Sequence, residues 1–185
     1  MNRQIMIKTL ILLFSFLLFT SCSNKKSLET PHVEQPKYSF ENILSFNKED
    51  TLFIKSQFED CGEWGGHEEL MKIYRSDKKL KLTYIKFKVD CGVRDSLGSI
   101  IQTKKFTRHI LLSNSQQLAL MKYMNDLMKF KFLDEEISHS GNSFSLSNTK
   151  GDLKISHYGN QPILIDSYNS LMITLKQSKV NIEQR

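Results

Sequence analysis

No motif that would hold a nucleophile, a zinc ion or a phosphate group is complete in this sequence. Ser140 follows His139, but the residues around it lack the Gly-x-Ser-x-Gly elbow of many hydrolases. His67 begins a His-Glu pair, yet Met71 stands where a zinc protease would carry its second histidine. The glycines within residues 62–66 are not followed by the lysine of a phosphate-binding loop. These absences argue against the common hydrolase, metalloprotease and nucleotide-binding classes.

A set of side chains suited to a metal ion or an organic cofactor is missing as well. The histidines other than His67 are isolated along the chain: His32, His109, His139 and His157. Met121, Met124 and Met128 recur at helical spacing and could offer thioether ligands to Cu(I). Leu120 and Leu127 share that stripe, however, which indicates ordinary core packing. The sequence therefore predicts a protein with no metal and no cofactor.

The sequence also lacks an apolar run long enough for a comfortable transmembrane span, which needs roughly 20 residues. The longest run, Leu10 to Phe19, is interrupted only by Ser15 and follows the positive charges of Arg3 and Lys8. It ends in small polar residues immediately before Cys22. A positive start, a short apolar middle and small residues at the end predict a secretory signal over residues 1–21.

Phe19-Thr20-Ser21-Cys22 resembles the lipobox of bacterial lipoproteins. The resemblance covers residues 1–22 only, and Phe19 occupies the position where leucine is commonest. It implies that the signal is cut before Cys22 and that this cysteine is acylated with fatty acids such as palmitate, which anchor the protein in a lipid bilayer. It further implies an outer membrane location facing the periplasm. The alternative is a secreted protein in which Cys22 is an unmodified thiol.

The rest of the chain divides at about residue 38. Residues 22–37 contain serine, asparagine, lysine and two prolines with almost no large apolar side chain, which predicts a flexible tether. Residues 38–185 show no internal repeat and are long enough for one domain with its own core. We therefore expect a signal peptide, a lipidated cysteine with its tether, and a single globular domain.

Charge gives little support for nucleic-acid binding. Without the signal, 24 of the 26 basic side chains remain against 20 acidic ones, an excess of only four. The lysines of residues 78–88 alternate with apolar residues, as expected for a strand with one solvated face. An exported protein also rarely meets nucleic acid. We predict that nucleic acid is not a partner.

Apolar periodicity predicts an α+β domain. Four strands are indicated by alternation or by short apolar runs: Thr51–Phe58, Leu70–Arg75, Leu80–Val89 and Ile100–Leu112. The turn sequence "NTKGD" predicts a hairpin of two further strands, Phe144–Ser147 and Leu153–His157. One helix should be capped by Ser113 or Ser115 and carry one apolar face of Leu120, Met121, Met124, Leu127 and Met128. A second should begin at Asp166 or Ser167, with Tyr168, Leu171, Met172 and Leu175 inward. We expect an antiparallel sheet of about six strands with both helices packed on one face.

The pattern of the third strand is irregular. Leu80 and Leu82 are followed by Ile85, Phe87 and Val89, so the apolar phase changes near Thr83-Tyr84. Such a change predicts a β-bulge or a strong local twist at that point.

Two cysteines other than Cys22 predict a disulfide. Cys61 and Cys91 stand in the similar phrases "EDCG" and "VDCG", and each follows a predicted strand. In an oxidising compartment an even pair normally bonds, provided that both strands end at the same edge of the sheet. The alternatives are two unbonded thiols or a metal pair. A disulfide here would pin the base of the loop "GEWGGHEE".

That loop is the best candidate for a functional site. Its candidate binding residues are Glu63, Trp64, His67, Glu68 and Glu69. An exposed Trp64 would favour a non-catalytic module that binds an envelope protein or a glycan. A buried cleft that gathers His67 with a carboxylate and a second histidine would favour an envelope hydrolase or metal-dependent enzyme using Glu63, His67, Glu68 or Glu69. The sequence favours the binding module, because only one segment of candidate residues is present.

Overall fold

The computed structural model describes residues 50–62, 65–133 and 141–180. The predicted signal peptide, Cys22 and the tether lie outside the described residues, as do Glu63 and Trp64. Within the described part, no helix is both long and apolar enough to cross a membrane.

The domain is built on a six-stranded antiparallel sheet, as the sequence predicted. Its strands, in chain order, are β1 Thr51–Gln57, β2 Glu68–Ser76, β3 Lys79–Lys88, β4 Thr103–Leu111, β5 Ser143–Asn148 and β6 Lys154–Tyr158. In space they follow the order β4-β3-β2-β1-β5-β6. Strands β1 to β4 therefore form a meander from the middle of the sheet to one edge, and the β5–β6 hairpin adds to the other side of β1.

One face of the sheet is buried over β1, β2, β3, β5 and β6, because apolar side chains alternate along these strands. Ile54 of β1 lies between Met71 of β2 and Leu146 of β5 in the register, and all three are buried. Leu82 and Tyr84 continue this face on β3. The consistency of the alternation across neighbouring strands fixes the register, since a shift by one residue would expose the whole apolar set.

Two helices, α1 Asn114–Leu133 and α2 Pro162–Thr174, complete the α+β fold. Each helix shares a hydrogen bond with a residue on the buried face of the sheet. His157 of β6 donates from Nε2 to the carbonyl of Leu127 in α1 at 2.7 Å. The hydroxyl of Tyr168 in α2 donates to Glu69 of β2 at 2.5 Å.

The start of each helix has a local cause. Before α1, the Ser113 amide donates to Gln116 Oε1 and the Gln116 amide donates to Ser113 Oγ, at 3.0 and 3.4 Å, which is a capping box. Helix α2 begins at Pro162 and not at Asp166 or Ser167, so that prediction is wrong. Proline suits the first helical turn because its fixed φ matches the helix and its missing amide has no partner there.

The inward residues are mostly those predicted, with two corrections. All four residues predicted to face inward from α2 are buried: Tyr168, Leu171, Met172 and Leu175. In α1, Met128 is 46% exposed, and Tyr123 is buried with Leu120, Met124 and Leu127. The stripe is therefore rotated toward Tyr123, which lies four residues before Leu127 on the same side of the helix.

The irregularity in β3 occurs later than predicted. Tyr84 stays in phase with Leu82 on the buried face, and the register with β4 shifts between Lys86 and Phe87. Strand β4 begins at Thr103, three residues after the predicted start. Before it, Asp95 accepts hydrogen bonds from Leu97 and Ser99 in a tight turn, which keeps this stretch out of the sheet.

Candidate functional site

The loop after β1 is joined to the loop after β3 by the Cys61–Cys91 disulfide, as predicted. Both strands are antiparallel to β2, so both end at the same edge of the sheet. The two Cα atoms are 5.4 Å apart, and 30 residues of sequence separate them. The topology of the meander thus brings the two loops together.

Backbone hydrogen bonds close the same loop at its base. The Phe58 amide donates to the carbonyl of His67 at 3.0 Å, and the Cys61 amide donates to the carbonyl of Gly65 at 2.8 Å. Gly66 lies so close to the incoming chain that a Cβ atom there would overlap the carbonyl oxygen of Phe58 and the backbone nitrogen of Asp60. Only glycine fits this approach, so the conformation of the loop base depends on it.

His67 is held between two carboxylates. Its Nδ1 makes a short hydrogen bond with Asp60 Oδ2, and its backbone amide donates to the same oxygen at 2.9 Å. Its Nε2 lies 3.2 Å from Glu69 Oε1. The ring stacks on Phe58 with 5.0 Å between centroids, and only 12% of the side chain is exposed. Both ring nitrogens are thus occupied by acceptors from this chain.

The two carboxylates set the protonation of His67. Burial by itself lowers the pKa of the imidazole, but the hydrogen bonds to Asp60 and Glu69 raise it more, so the net pKa lies above the usual 6.5. For Asp60, burial raises the pKa, but the side-chain and backbone hydrogen bonds of His67 lower it more, and the net pKa is lowered. Each group therefore favours the charged form of its neighbour.

Glu69 is a buried charge with three donors. It faces Lys86 across the β2–β3 pair and is 1% exposed. Besides His67, its Oε1 accepts from Lys86 Nζ at 2.6 Å, and its Oε2 accepts from the Tyr168 hydroxyl at 2.5 Å. Burial raises the pKa of Glu69, but hydrogen bonds from His67, Lys86 and Tyr168 outweigh it and lower the pKa to about 2. The side chain is therefore ionised in the folded protein at any ordinary pH.

Aromatic rings surround Tyr168, the residue of α2 that donates to Glu69. Tyr168 is packed against Phe58, Tyr123 and Phe144, with centroid distances of 5.5 to 5.9 Å. Burial and the adjacent charge of Glu69 raise the pKa of its hydroxyl well above the usual value. The hydroxyl consequently stays protonated and acts as a donor.

Asp60, His67, Glu69, Lys86 and Tyr168 together form a charge cluster. An open groove of about 320 Å³ lies over it. Its lining includes Asp60, His67, Cys91 and three lysines, Lys86, Lys88 and Lys105. The groove therefore connects the disulfide-pinned loop with the end of β3 and the start of β4.

The structure separates the predicted site residues. Glu69 and His67 come together, whereas Glu68 points to the opposite face and pairs with Lys55 at 2.7 Å. Glu68 and Glu69 belong to strand β2, not to a loop. The hydrogen-bond and ring partners of His67 among the described residues are Asp60, Glu69 and Phe58, and none of them is a second histidine.

Sequence reasoning missed Asp60, Lys86 and Tyr168 as members of the cluster. One signal was present: Glu69 stands two residues before Met71 and would share its buried face if β2 began earlier. The partner Tyr168 is 99 residues away, and no local pattern connects them. No group of three or more histidine, cysteine or acidic side chains in residues 50–62, 65–133 and 141–180 is arranged to hold a metal ion.

No protein-family model, curated protein or solved structure matches this chain. The site combines a loop fixed by a disulfide, a charge cluster at the base of that loop and an open cationic groove at its side.

Proposed function

We propose that this protein is a lipoprotein of the bacterial envelope, anchored through acylated Cys22, whose domain is a non-catalytic binding module. The module presents the loop of residues 61–67 to another envelope protein or to a glycan. The lipobox-like sequence supports the anchor and an outer membrane location facing the periplasm. The construction of the loop base supports binding.

The observation that carries the proposal is the pairing of both His67 nitrogens with carboxylates. A general base needs an unprotonated nitrogen within reach of a substrate proton. Here each ring nitrogen faces a carboxylate acceptor, and the pKa of His67 is raised, which favours the doubly protonated ring. Glu69 is likewise engaged at both oxygens and is buried. The cluster is suited to holding the loop, not to moving a proton of a substrate.

A loop held in this way suits recognition. The disulfide, the backbone hydrogen bonds and the His67–Asp60 pair restrict the segment before any partner arrives, which reduces the entropy lost on binding. Trp64 belongs to the same loop, and tryptophan is enriched among the residues that dominate binding energy. We therefore assign Glu63 and Trp64 as candidate contact residues and His67 and Glu69 as their support.

The second candidate function is an envelope hydrolase that uses His67 with Glu63, Glu68 or Glu69. One observation favours it, since a half-buried histidine paired with a carboxylate lines an open groove. In that case His67 would have to lose a proton to act as a base.

Photo-crosslinking in the producing bacterium distinguishes the two functions. A photo-reactive amino acid in place of Trp64 should give a defined adduct, and the same residue in place of Leu118, which is 65% exposed on α1, should not. The adduct should disappear when Cys61 and Cys91 are both changed to serine. Hydrolysis of ester, peptide or glycoside substrates by the purified protein, lost in His67→Gln, would overturn the proposal in favour of the hydrolase.

A further inference from the structure

Strand β4 is an edge of the sheet with one side of its backbone open. Among the described strands it pairs only with β3. The Leu112 amide donates to the carbonyl of Leu80, its partner in the antiparallel register. Because the direction of ladder bonds alternates along an antiparallel strand, the Arg108 amide points toward β3 and the Thr107 and His109 amides point outward. A nine-residue edge of this kind is a template for another extended chain.

Cationic side chains flank the same edge. A second groove of about 200 Å³, lined by Arg108 and Gln177 among others, shares Lys86 and Lys105 with the groove over the charge cluster. Lys88 lines only the groove over the charge cluster. The two grooves thus form a continuous cationic border along β3 and β4.

Most of this positive charge is uncompensated. Glu69 is already the partner of Lys86, and Asp60 is the partner of His67. Lys88 and Lys105 have no ion pair among the described residues. Arg108 donates to Gln177 at 2.9 Å and lies over the ring of Phe106, so its partners are uncharged.

Charge selects among the possible occupants of the edge. A second copy of this chain would bring a cationic edge against a cationic edge, and lysines on edge strands oppose such pairing. A chain that carries carboxylates is attracted to the same surface. The outward amides and carbonyls, in addition, match a polypeptide backbone and not a glycan or a lipid headgroup.

We infer that β4 is the docking edge for an acidic, extended segment of another envelope protein. The segment adds to the sheet as an antiparallel or parallel strand through the outward backbone groups at Thr107 and His109. Its alternate side chains, two residues apart, place carboxylates over Arg108 and the lysines of the grooves. This inference rests on the proposed binding function and specifies the chemistry of the partner.

The test uses the full chain in detergent and two blocked peptides, one alternating glutamate with valine and one alternating lysine with valine. The glutamate peptide should bind and the lysine peptide should not. Arg108→Glu combined with Lys105→Glu should weaken binding by about tenfold or more, because rim charges are reversed. Lys129→Glu, at an exposed position of α1, is the control and should leave affinity within about twofold.

A backbone variant separates strand addition from simple charge attraction. Thr107→Pro removes an outward amide without removing a ladder bond to β3, so the fold should persist. It should weaken binding of the glutamate peptide by about tenfold, whereas Thr107→Val should not. Far-ultraviolet circular dichroism checks the fold of each variant. If Thr107→Pro does not fold, the same test is made on the ligand: the glutamate peptide with N-methylated valines keeps its charge but loses backbone donors, and it should bind about tenfold more weakly.

Three results would overturn the inference. The first is equal binding of both peptides, and the second is full binding of the glutamate peptide by Thr107→Pro. The third is that the protein binds anionic vesicles or an anionic polysaccharide but not the glutamate peptide. If these results exclude β4 as the docking edge while the Trp64 adduct persists, the binding function stands and only the inferred chemistry of the partner is wrong. If the adduct is absent and a hydrolytic activity requires His67, the proposed function fails whatever the peptides do.

Discussion

The hydroxyl of Tyr168 donates a hydrogen bond of 2.5 Å to Oε2 of Glu69, across 99 residues of sequence. This contact joins α2 to the middle of the sheet at the base of the disulfide-pinned loop. Taking a carboxylate out of water is costly unless donors replace its hydration. Tyr168, Lys86 and His67 supply those donors, so three separate elements converge on one charge.

Neutralising Glu69 should therefore destabilise the domain. Glu69→Gln leaves Lys86 and His67 without their shared anion, and we expect a loss of roughly 3 kcal/mol in the free energy of unfolding, as for other broken buried pairs. Glu68→Gln is the matched control, because its partner Lys55 is 48% exposed and such pairs contribute less than about 1 kcal/mol. Urea denaturation of both variants measures the difference. Equal small losses would show that Glu69 does not hold the loop base.

Alternating patterns and turn residues were enough to predict most of the fold. The apolar positions of β1 and the "NTKGD" turn between β5 and β6 gave the right elements because their signals are local. The start of α2 was missed because Asp166 and Ser167 resemble caps, whereas Pro162 begins the helix without a side-chain cap. The start of β2 depends on the tertiary partners of Glu69, and the start of β4 depends on the turn at Asp95. Neither cause leaves a periodic pattern of apolar residues in the sequence.

The candidate site was only partly predictable. Cys61 and Cys91 could be paired because they are the two cysteines that remain once Cys22 is assigned to the lipid and because each follows a predicted strand. His67 and Glu69 were singled out as residues but not as a pair with Lys86. Their contact depends on the register of β2 against β3, and local sequence does not determine which side chains face each other across a strand pair.

The loop base should not tolerate a side chain at residue 66. Gly66→Ala places a Cβ atom against the backbone of Phe58 and Asp60, so part of the loop must shift. We expect a loss of about 2 to 3 kcal/mol, typical of a backbone clash at a packed position. Gly92→Ala is the control, since the atom nearest to its added Cβ is a flexible carboxylate oxygen at 3.6 Å. Similar stability of the two variants, measured by thermal unfolding, would contradict this account.

The disulfide should stabilise the fold mainly by closing a long loop. Replacing both Cys61 and Cys91 by serine should lower the free energy of unfolding by roughly 3.5 kcal/mol in the chain-entropy model. Reduction of the parent protein should give a comparable loss, and the double variant should be insensitive to the reductant. Mass spectrometry of unreduced peptides should show Cys61 linked to Cys91. Full alkylation of both thiols in the folded, unreduced protein would disprove the bond.

Lipidation of Cys22 makes a separate prediction about the chain's attachment. The producing bacterium, fed a labelled fatty acid, should incorporate the label into this protein. Cys22→Ala should abolish incorporation and release the protein from the membrane fraction, because no acyl chain then holds it. Ser23→Ala serves as the control and should remain labelled. An unlabelled mature protein would show that the chain is secreted without a lipid anchor.

The stability of the domain should be greatest in a window of mildly acidic pH. Glu69 has a folded pKa of about 2 against an ordinary value of 4.5, and the pKa of Asp60 is also lowered. Their contributions are present above the ordinary values and are lost as the pH falls toward the folded ones. The pKa of His67 is raised from 6.5, so its contribution is complete below 6.5 and is lost as the pH rises through the folded pKa. The free energy of unfolding should therefore be highest between about 4.5 and 6.5.

Two variants show which group causes the loss of stability on each side of that window, the acid limb below about pH 4.5 and the alkaline limb above about pH 6.5. His67→Gln cannot titrate, so its stability should no longer decline as the pH rises above 6.5, while the acid limb remains. Glu69→Gln should flatten the acid limb, because the carboxylate with the most strongly lowered pKa is gone. Urea denaturation at a series of pH values measures both effects. An alkaline decline of equal steepness in His67→Gln would show that another group causes it and that the two carboxylates do not hold a charged imidazole between them.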